Sequence, residues 1–219
     1  MESGFEVPGA GRVSALLTRP DEARWLYVVA HGAGAGMRHP FMERVAEALA
    51  GKGIATFRYQ FPYMEQGKKR PDRPAVATAT VRAAVQAVRE AAPGLPLIAG
   101  GKSFGGRMTS TAQAEEPLPG VRGLAFLGFP LHPPGRPGVQ RAAHLDNVRI
   151  PMLFLQGTRD TFADLDLLRP VCDGLSPPAT LRTVEGGDHS FKVLKRSGRT
   201  EADVMEELAG AIADWTAKL

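Results

Sequence analysis

Short apolar runs alternate with longer amphipathic segments through most of this chain. The runs suit strands buried on both faces of a sheet, and the longer segments repeat apolar residues at helical spacing. The expected strands are two within residues 4–17, then 25–30, 54–57, 95–99, 123–127, 151–156 and 180–184; the expected helices are 41–51, 74–91, 104–116, 162–170 and one from about 200. Such alternation predicts an α/β fold with a mostly parallel sheet of about seven strands flanked by helices.

The composition favours a single globular domain spanning residues 1–219. Hydrophobic residues make up 43% and charged residues 23% of the 219 residues, and no apolar stretch approaches the roughly 20 residues of a membrane-spanning helix. The N-terminus lacks the basic and apolar regions of a signal peptide, so we expect a cytoplasmic location and no membrane partner. The single cysteine, Cys172, excludes an internal disulfide and a cysteine-built metal site; no metal or cofactor is expected.

The formal net charge of +4 gives little reason to expect a nucleic-acid partner. The densest basic stretch, residues 67–73, is short and contains proline, glycine and an aspartate. These features are typical of a solvated loop rather than of a nucleic-acid interface. The sequence leaves the oligomeric state open.

A glycine-rich motif, Gly100–Gly106, follows the expected strand at residues 95–99 and precedes a helix. Ser103 lies at its centre in the pattern G-x-S-x-G, which places a nucleophilic serine on a sharp turn between strand and helix. A phosphate-binding loop would need a glycine where Pro96 stands, so that alternative is disfavoured. A structural serine in a tight turn is the other alternative.

A serine hydroxyl needs a base to take its proton and a carboxylate to orient that base. Among the five histidines, His189 is the candidate base, because it follows the last expected strand in a glycine-rich turn. Asp160 is the candidate acid, since it lies just beyond the strand at 151–156; Asp188 adjoins His189, but neighbouring side chains point apart. Along the chain, the nucleophile Ser103 comes first, the acid Asp160 second and the base His189 last, an order that is typical of one particular fold.

The same chemistry requires backbone amides that hold a negative oxygen. The amide of Phe104, the first helical residue, is one expected donor. The other should come from the glycine-rich loop after strand 25–30, with Ala33 preferred and Gly34 the alternative. His31, at the start of that loop, is expected to pack or hydrogen-bond there.

Four segments together resemble the α/β-hydrolases: His31–Gly34, Gly101–Gly106, Gly157–Asp160 and Gly187–Phe191. The resemblance covers nearly the whole chain and leaves no insertion large enough for a cap domain. In this the chain is similar to the small dienelactone-hydrolase-like enzymes. The nearest likeness is to the testis-expressed-30-like branch, through residues 31–42, 57–63 and 101–107. Dienelactone hydrolases proper use a cysteine nucleophile, and this chain has Ser103 at that position. The resemblance therefore implies the fold and serine-hydrolase chemistry, and does not specify the substrate.

These observations predict a serine hydrolase for small carboxylic esters, with thioesters and lactones as further candidate substrates. The alternative is an interaction module that keeps the fold without useful turnover. Aromatic residues and a histidine on loops at the same sheet edge are candidate pocket walls: Tyr59, Phe61, Tyr63, Phe129 and His132.

Overall fold

The centre of the molecule is a sheet of eight strands, one for each of the expected strand segments. The structure, a computed structural model, describes residues 2–219. The strands are β1 Glu2–Val7, β2 Gly11–Thr18, β3 Trp25–Ala30, β4 Ile54–Tyr59, β5 Leu97–Lys102, β6 Val121–Leu127, β7 Met152–Gly157 and β8 Thr180–Val184. Their order is β1-β2-β4-β3-β5-β6-β7-β8. Strand β2 pairs antiparallel with β1 and β4, and the other pairings are parallel, which confirms the predicted α/β class.

Helices cover both faces of the sheet. They are α1 Pro40–Gly51, α2 Pro62–Glu65, α3 Pro74–Ala91, α4 Phe104–Glu115, α5 Leu165–Gly174 and α6 Glu201–Thr216, with 3-10 helices at Gln140–Asn147 and Lys195–Ser197. Strand β3 shows how one sequence serves two cores: Tyr27 and Val29 pack with α1 and α6, whereas Leu26, Val28 and Ala30 face α3 and α4. Because side chains alternate along a strand, a strand covered on both faces must be apolar throughout.

Strand β5 runs further than the sequence predicted, through two glycines to Lys102. An added Cβ would lie 1.8 Å from the carbonyl oxygen of Ala125 at Gly100, and 2.3 Å from that of Ala30 at Gly101. Only glycine can pass so close to the neighbouring strands. The two glycines therefore continue the strand instead of ending it, and they deliver Ser103 to its carboxyl end.

Helix α5 begins later than expected and continues past Pro170 to Gly174, so the predicted range 162–170 is wrong at both ends. The Asp160 carboxylate accepts a hydrogen bond from the Phe162 amide at 2.8 Å, which holds the preceding residues in a turn. Asp164 then caps the helix by accepting from the Asp166 amide at 2.9 Å, a typical N-cap interaction.

The loops that follow the parallel strands gather at one edge of the sheet. In open α/β sheets this is the edge where ligands bind. Between β6 and β7 the described chain forms a loop and a 3-10 helix rather than a cap domain, as the resemblance implied. None of the helices within residues 2–219 has the length and apolar character needed to cross a membrane.

Candidate active site

Ser103 occupies a strained turn between β5 and α4. Its φ of 48° and ψ of −113° lie outside the regions that side-chain-bearing residues prefer. Gly105 lets α4 approach β3, because a Cβ there would lie 2.6 Å from the carbonyl oxygens of both Ala30 and His31. The tight packing of this first helical turn holds the serine at the end of the strand.

The structure brings Ser103, His189 and Asp160 together from three separate loops. The His189 Nε2 atom lies 2.8 Å from Ser103 Oγ, and its Nδ1 atom lies 2.7 Å from Asp160 Oδ2. Because a carboxylate only accepts hydrogen bonds, Nδ1 carries the proton and Nε2 is free to accept from the serine hydroxyl. The arrangement can therefore take a proton from Ser103 and share the resulting positive charge with a buried carboxylate.

Gln156 is a part of the site that sequence reasoning missed. Its Nε2 donates to Asp160 Oδ2 at 2.5 Å, and its Oε1 accepts from the Phe129 amide at 2.9 Å. With the Phe162 amide on Oδ1, both oxygens of Asp160 have donors. A glutamine in an otherwise apolar strand was the available signal, since a buried amide requires partners.

The His189 ring is held from one side by an aromatic neighbour. Phe162 stacks on it with a centroid distance of 4.2 Å and an interplanar angle of 28°. Asp188 turns away as expected, because its Oδ1 accepts from the amides of Ser190 and Lys192. The imidazole is thus oriented by a carboxylate at its edge and a ring on its face.

Of the expected oxyanion donors, Ala33 lies in the turn after β3 and Phe104 is the first residue of α4, directly after Ser103. Neither the Ala33 amide nor the Phe104 amide has a hydrogen-bond acceptor among the described residues. The Gly34 amide, in contrast, donates to the Tyr63 hydroxyl at 2.8 Å. Ala33 is therefore better suited than Gly34 to donate to a ligand.

A cavity of about 300 Å³ opens beside Ser103 and His189. Its lining combines small, aromatic and polar residues: Gly32, Ala33, Ala35, His39, Phe41, Met42, Lys102, Phe162 and Ser190, with Ser103 and His189 themselves. No cluster of three or more histidine, cysteine or acidic residues within residues 2–219 is arranged to hold a metal ion.

The five expected pocket-wall residues do not line this cavity, so that expectation is corrected. Tyr59, Phe61, Tyr63, Phe129 and His132 are all buried, at 5% exposure or less. Phe129 packs between Phe126 and Phe154, and His132 Nε2 accepts from the Asp164 amide at 2.9 Å. These loops fold back over the sheet edge, so their aromatic residues complete the core instead.

His31 is a structural histidine within the oxyanion loop. Its Nδ1 donates to the Gly32 carbonyl at 2.8 Å, and its Nε2 accepts from the Phe61 amide at 3.2 Å. Burial lowers the pKa of His31 to about 4, because a charged ring would lose its solvation.

This shift predicts acid sensitivity. Between pH 6.5, where the unfolded histidine titrates, and pH 4, the unfolded state binds more protons, so the free energy of unfolding falls by about 3 kcal/mol as pH is lowered. Urea unfolding at pH 7.5 and pH 4.5 should show a smaller loss for His31→Gln than for the wild type. His144→Gln should likewise lose less stability than the wild type, because burial also lowers the pKa of His144 to about 4. Equal losses in His31→Gln and the wild type would contradict the assignment of acid sensitivity to His31.

Comparisons with known proteins were made for the whole chain. A family model described as "Alpha/beta hydrolase domain" matches residues 23–217. Two curated proteins from strains of Mycobacterium tuberculosis, each named "Putative phosphoribosyl transferase", are 28% identical over 214 residues. The match covers 95% of this chain and 44% of theirs, so the chain spans less than half the length of these relatives.

Solved structures show the same fold. A serine hydrolase described as lacking a lid, from Xanthomonas campestris, has a TM-score of 0.76 at 20% identity, covering 98% of this chain and 94% of that chain. A dienelactone hydrolase from Anabaena variabilis has a TM-score of 0.77 at 20% identity, covering 100% of this chain and 96% of that chain.

Proposed function

Because the chain belongs to the alpha/beta hydrolase domain family, in its small branch without a cap, we propose that it is a serine hydrolase that cleaves small carboxylic esters. The observation that carries the proposal is the continuous line from Ser103 Oγ through the His189 ring to Asp160, with contacts of 2.8 and 2.7 Å. The cavity beside Ser103 gives a substrate access to this line.

In the proposed reaction, His189 Nε2 takes the hydroxyl proton as Ser103 Oγ bonds to the acyl carbon. The tetrahedral intermediate collapses when His189 gives this proton to the departing alcohol oxygen, which leaves an acyl-enzyme. Water then loses a proton to His189 and bonds to the acyl carbon. When that second intermediate collapses, His189 returns the proton to Ser103 and the carboxylic acid is released.

The negative oxygen of each intermediate would be stabilised by backbone amides. Ala33 and Phe104 are the proposed donors, because their amides have no acceptor among the described residues, Ala33 lines the same cavity as Ser103, and Phe104 follows Ser103 in the chain. Asp160 would stabilise the imidazolium that forms at His189. Its own orientation is fixed by Gln156 and the Phe162 amide, so little reorganisation is needed during the reaction.

The cavity volume predicts a preference for small acyl groups. At about 300 Å³, it lies at the lower end of the range for ligand pockets. On p-nitrophenyl esters, kcat/KM should be highest for acyl chains of about two to four carbons and fall by at least about tenfold at eight carbons. Matched thioesters and a lactone, assayed alongside, would define the leaving group. A rate that rises steadily with chain length would contradict the small-substrate proposal.

The alternative is an interaction module without useful turnover. The curated relatives favour this alternative, because the chain matches less than half of their length. A domain of this kind therefore occurs within larger proteins. The transferase activity in the name of those relatives would belong to the whole protein. If the wild type and His189→Ala both hydrolyse every ester at the background rate, the module is the better description.

A further inference from the structure

Lys102 is a buried cation in the site that the proposed reaction does not use. It is the last residue of β5, directly before Ser103, and it is 9% exposed. Its Nζ atom donates to the main-chain carbonyl oxygen of His189 at 2.5 Å. The rings of Phe41 and Phe191 lie 5.9 and 5.6 Å from the same nitrogen, within the range of cation–π attraction.

The backbone of Gly128 makes room for this lysine. A Cβ at that position would lie 3.1 Å from Lys102 Nζ, 3.4 Å from the carbonyl oxygen of His189 and 3.6 Å from Asp160 Oδ2. All three atoms therefore surround one point at the carboxyl end of β6. The ammonium group thus contacts the main chain of His189, and the Asp160 carboxylate lies on the other side of Gly128 without forming an ion pair with it.

The charges around Lys102 come from the loops after β7 and β8. Burial lowers its pKa from 10.5 to about 8, while Asp160 and Asp188 oppose that shift. The lysine is therefore still mostly protonated at neutral pH. Because its Nζ atom already donates to the His189 carbonyl oxygen, a role as a receptor for substrate anions is disfavoured.

We propose that Lys102 is a positioning residue: its hydrogen bond ties the main chain of His189 to the end of β5. The inference rests on the proposed function. The hydrogen bond links the loop that carries the base to the strand that carries the nucleophile, so it helps to maintain the 2.8 Å contact between them.

The test compares Lys102→Met, which removes donor and charge, with Lys102→Gln, which keeps a donor, and Lys102→Arg, which keeps the charge. Lys102→Met should lower kcat on p-nitrophenyl acetate by about tenfold to a hundredfold with KM changed less than about twofold, because the base is misplaced and substrate contacts remain. Lys102→Arg, which keeps a charged donor on a long side chain, should retain kcat within about threefold of the wild type, whereas Lys102→Gln, whose shorter side chain holds its donor further from the His189 carbonyl, should fall between the Arg and Met variants. Lys192 is an exposed lysine on the loop that carries His189, and Lys192→Met should have the same kcat and KM as the wild type.

The hydrogen bond between the Ser103 hydroxyl and His189 Nε2 gives a readout that needs no turnover, because NMR of the imidazole nitrogens reports it. This hydrogen bond should be weaker in Lys102→Met and Lys102→Gln than in the wild type. If this difference appears while the wild type hydrolyses no ester, the proposed function fails and the influence of Lys102 on His189 stands. If the wild type is active and both neutral variants keep its kcat and its Ser103–His189 hydrogen bond, the proposal for Lys102 is overturned. Should Lys102→Met fail to fold, Lys102→Gln decides by the same criteria.

Discussion

Replacing Ser103 by alanine should lower kcat on a small ester by at least about 10⁴-fold, with KM changed little. The proposed reaction forms its covalent bond at Ser103 Oγ, so the variant loses the acyl-enzyme route altogether. Any residual rate would come only from the proposed oxyanion donors and from the binding of the substrate in the cavity. The effect is measured by steady-state kinetics on p-nitrophenyl acetate. Intact mass confirms the identity of each variant. Stability should change by less than about 1 kcal/mol, because the hydroxyl makes one side-chain hydrogen bond.

The chain contains a matched control for this substitution. Ser110 Oγ lies 2.7 Å from His144 Nε2, a serine–histidine contact much like that of Ser103. Ser110 is fully buried on α4, however, and does not line the cavity. Ser110→Ala should therefore keep kcat within about threefold of the wild type, at a stability cost of about 1 kcal/mol. A large loss of activity in Ser110→Ala, or none in Ser103→Ala, would remove the basis for assigning the nucleophile.

Replacing Gly105 by alanine should destabilise the fold by about 3 kcal/mol or more. The new Cβ would lie 2.6 Å from the carbonyl oxygens of Ala30 and His31, and backbone atoms cannot move aside as a flexible side chain can. Helix α4 would have to shift away from β3, carrying the Phe104 amide with it. We therefore expect a lower denaturant midpoint and, in the protein that remains folded, a lower kcat.

Gly210→Ala tests the same exchange where space is open. Gly210 lies inside α6, and no atom would come within 4 Å of its added Cβ. Alanine has the better helix propensity, so this variant should be more stable by about 0.5–1 kcal/mol. Urea unfolding of both variants separates the steric cost at Gly105 from the general effect of replacing a helical glycine. Equal stabilities for the two variants would contradict the packing account.

The order of elements and the three residues that meet at Ser103 could be predicted because local signals determine them. Apolar runs marked the strands, and side chains just beyond parallel strands must converge at one sheet edge. The boundaries of β5 were harder to predict from the sequence. Glycine usually ends a strand pattern, and only the close approach of Ala30 and Ala125 explains why Gly100 and Gly101 continue this one.

The pocket wall could not be predicted in the same way. Loop residues such as Phe61 and Phe129 leave the correct edge, yet whether they face a cavity or the core depends on how each loop folds back. Lys102 and Gln156 were overlooked for a related reason, since their importance lies in contacts with distant residues. A polar side chain in a buried strand requires partners, but the sequence does not say which ones.

Reaction with a fluorophosphonate tests most directly whether Ser103 is an activated nucleophile. Intact mass and peptide mapping of the folded wild type should show one adduct, on Ser103, that forms quickly near neutral pH and is absent from Ser103→Ala. His189→Ala should react at least about a hundredfold more slowly, because the serine would lose its base. A folded wild type that forms no adduct at Ser103, or that reacts no faster than His189→Ala, would contradict the account.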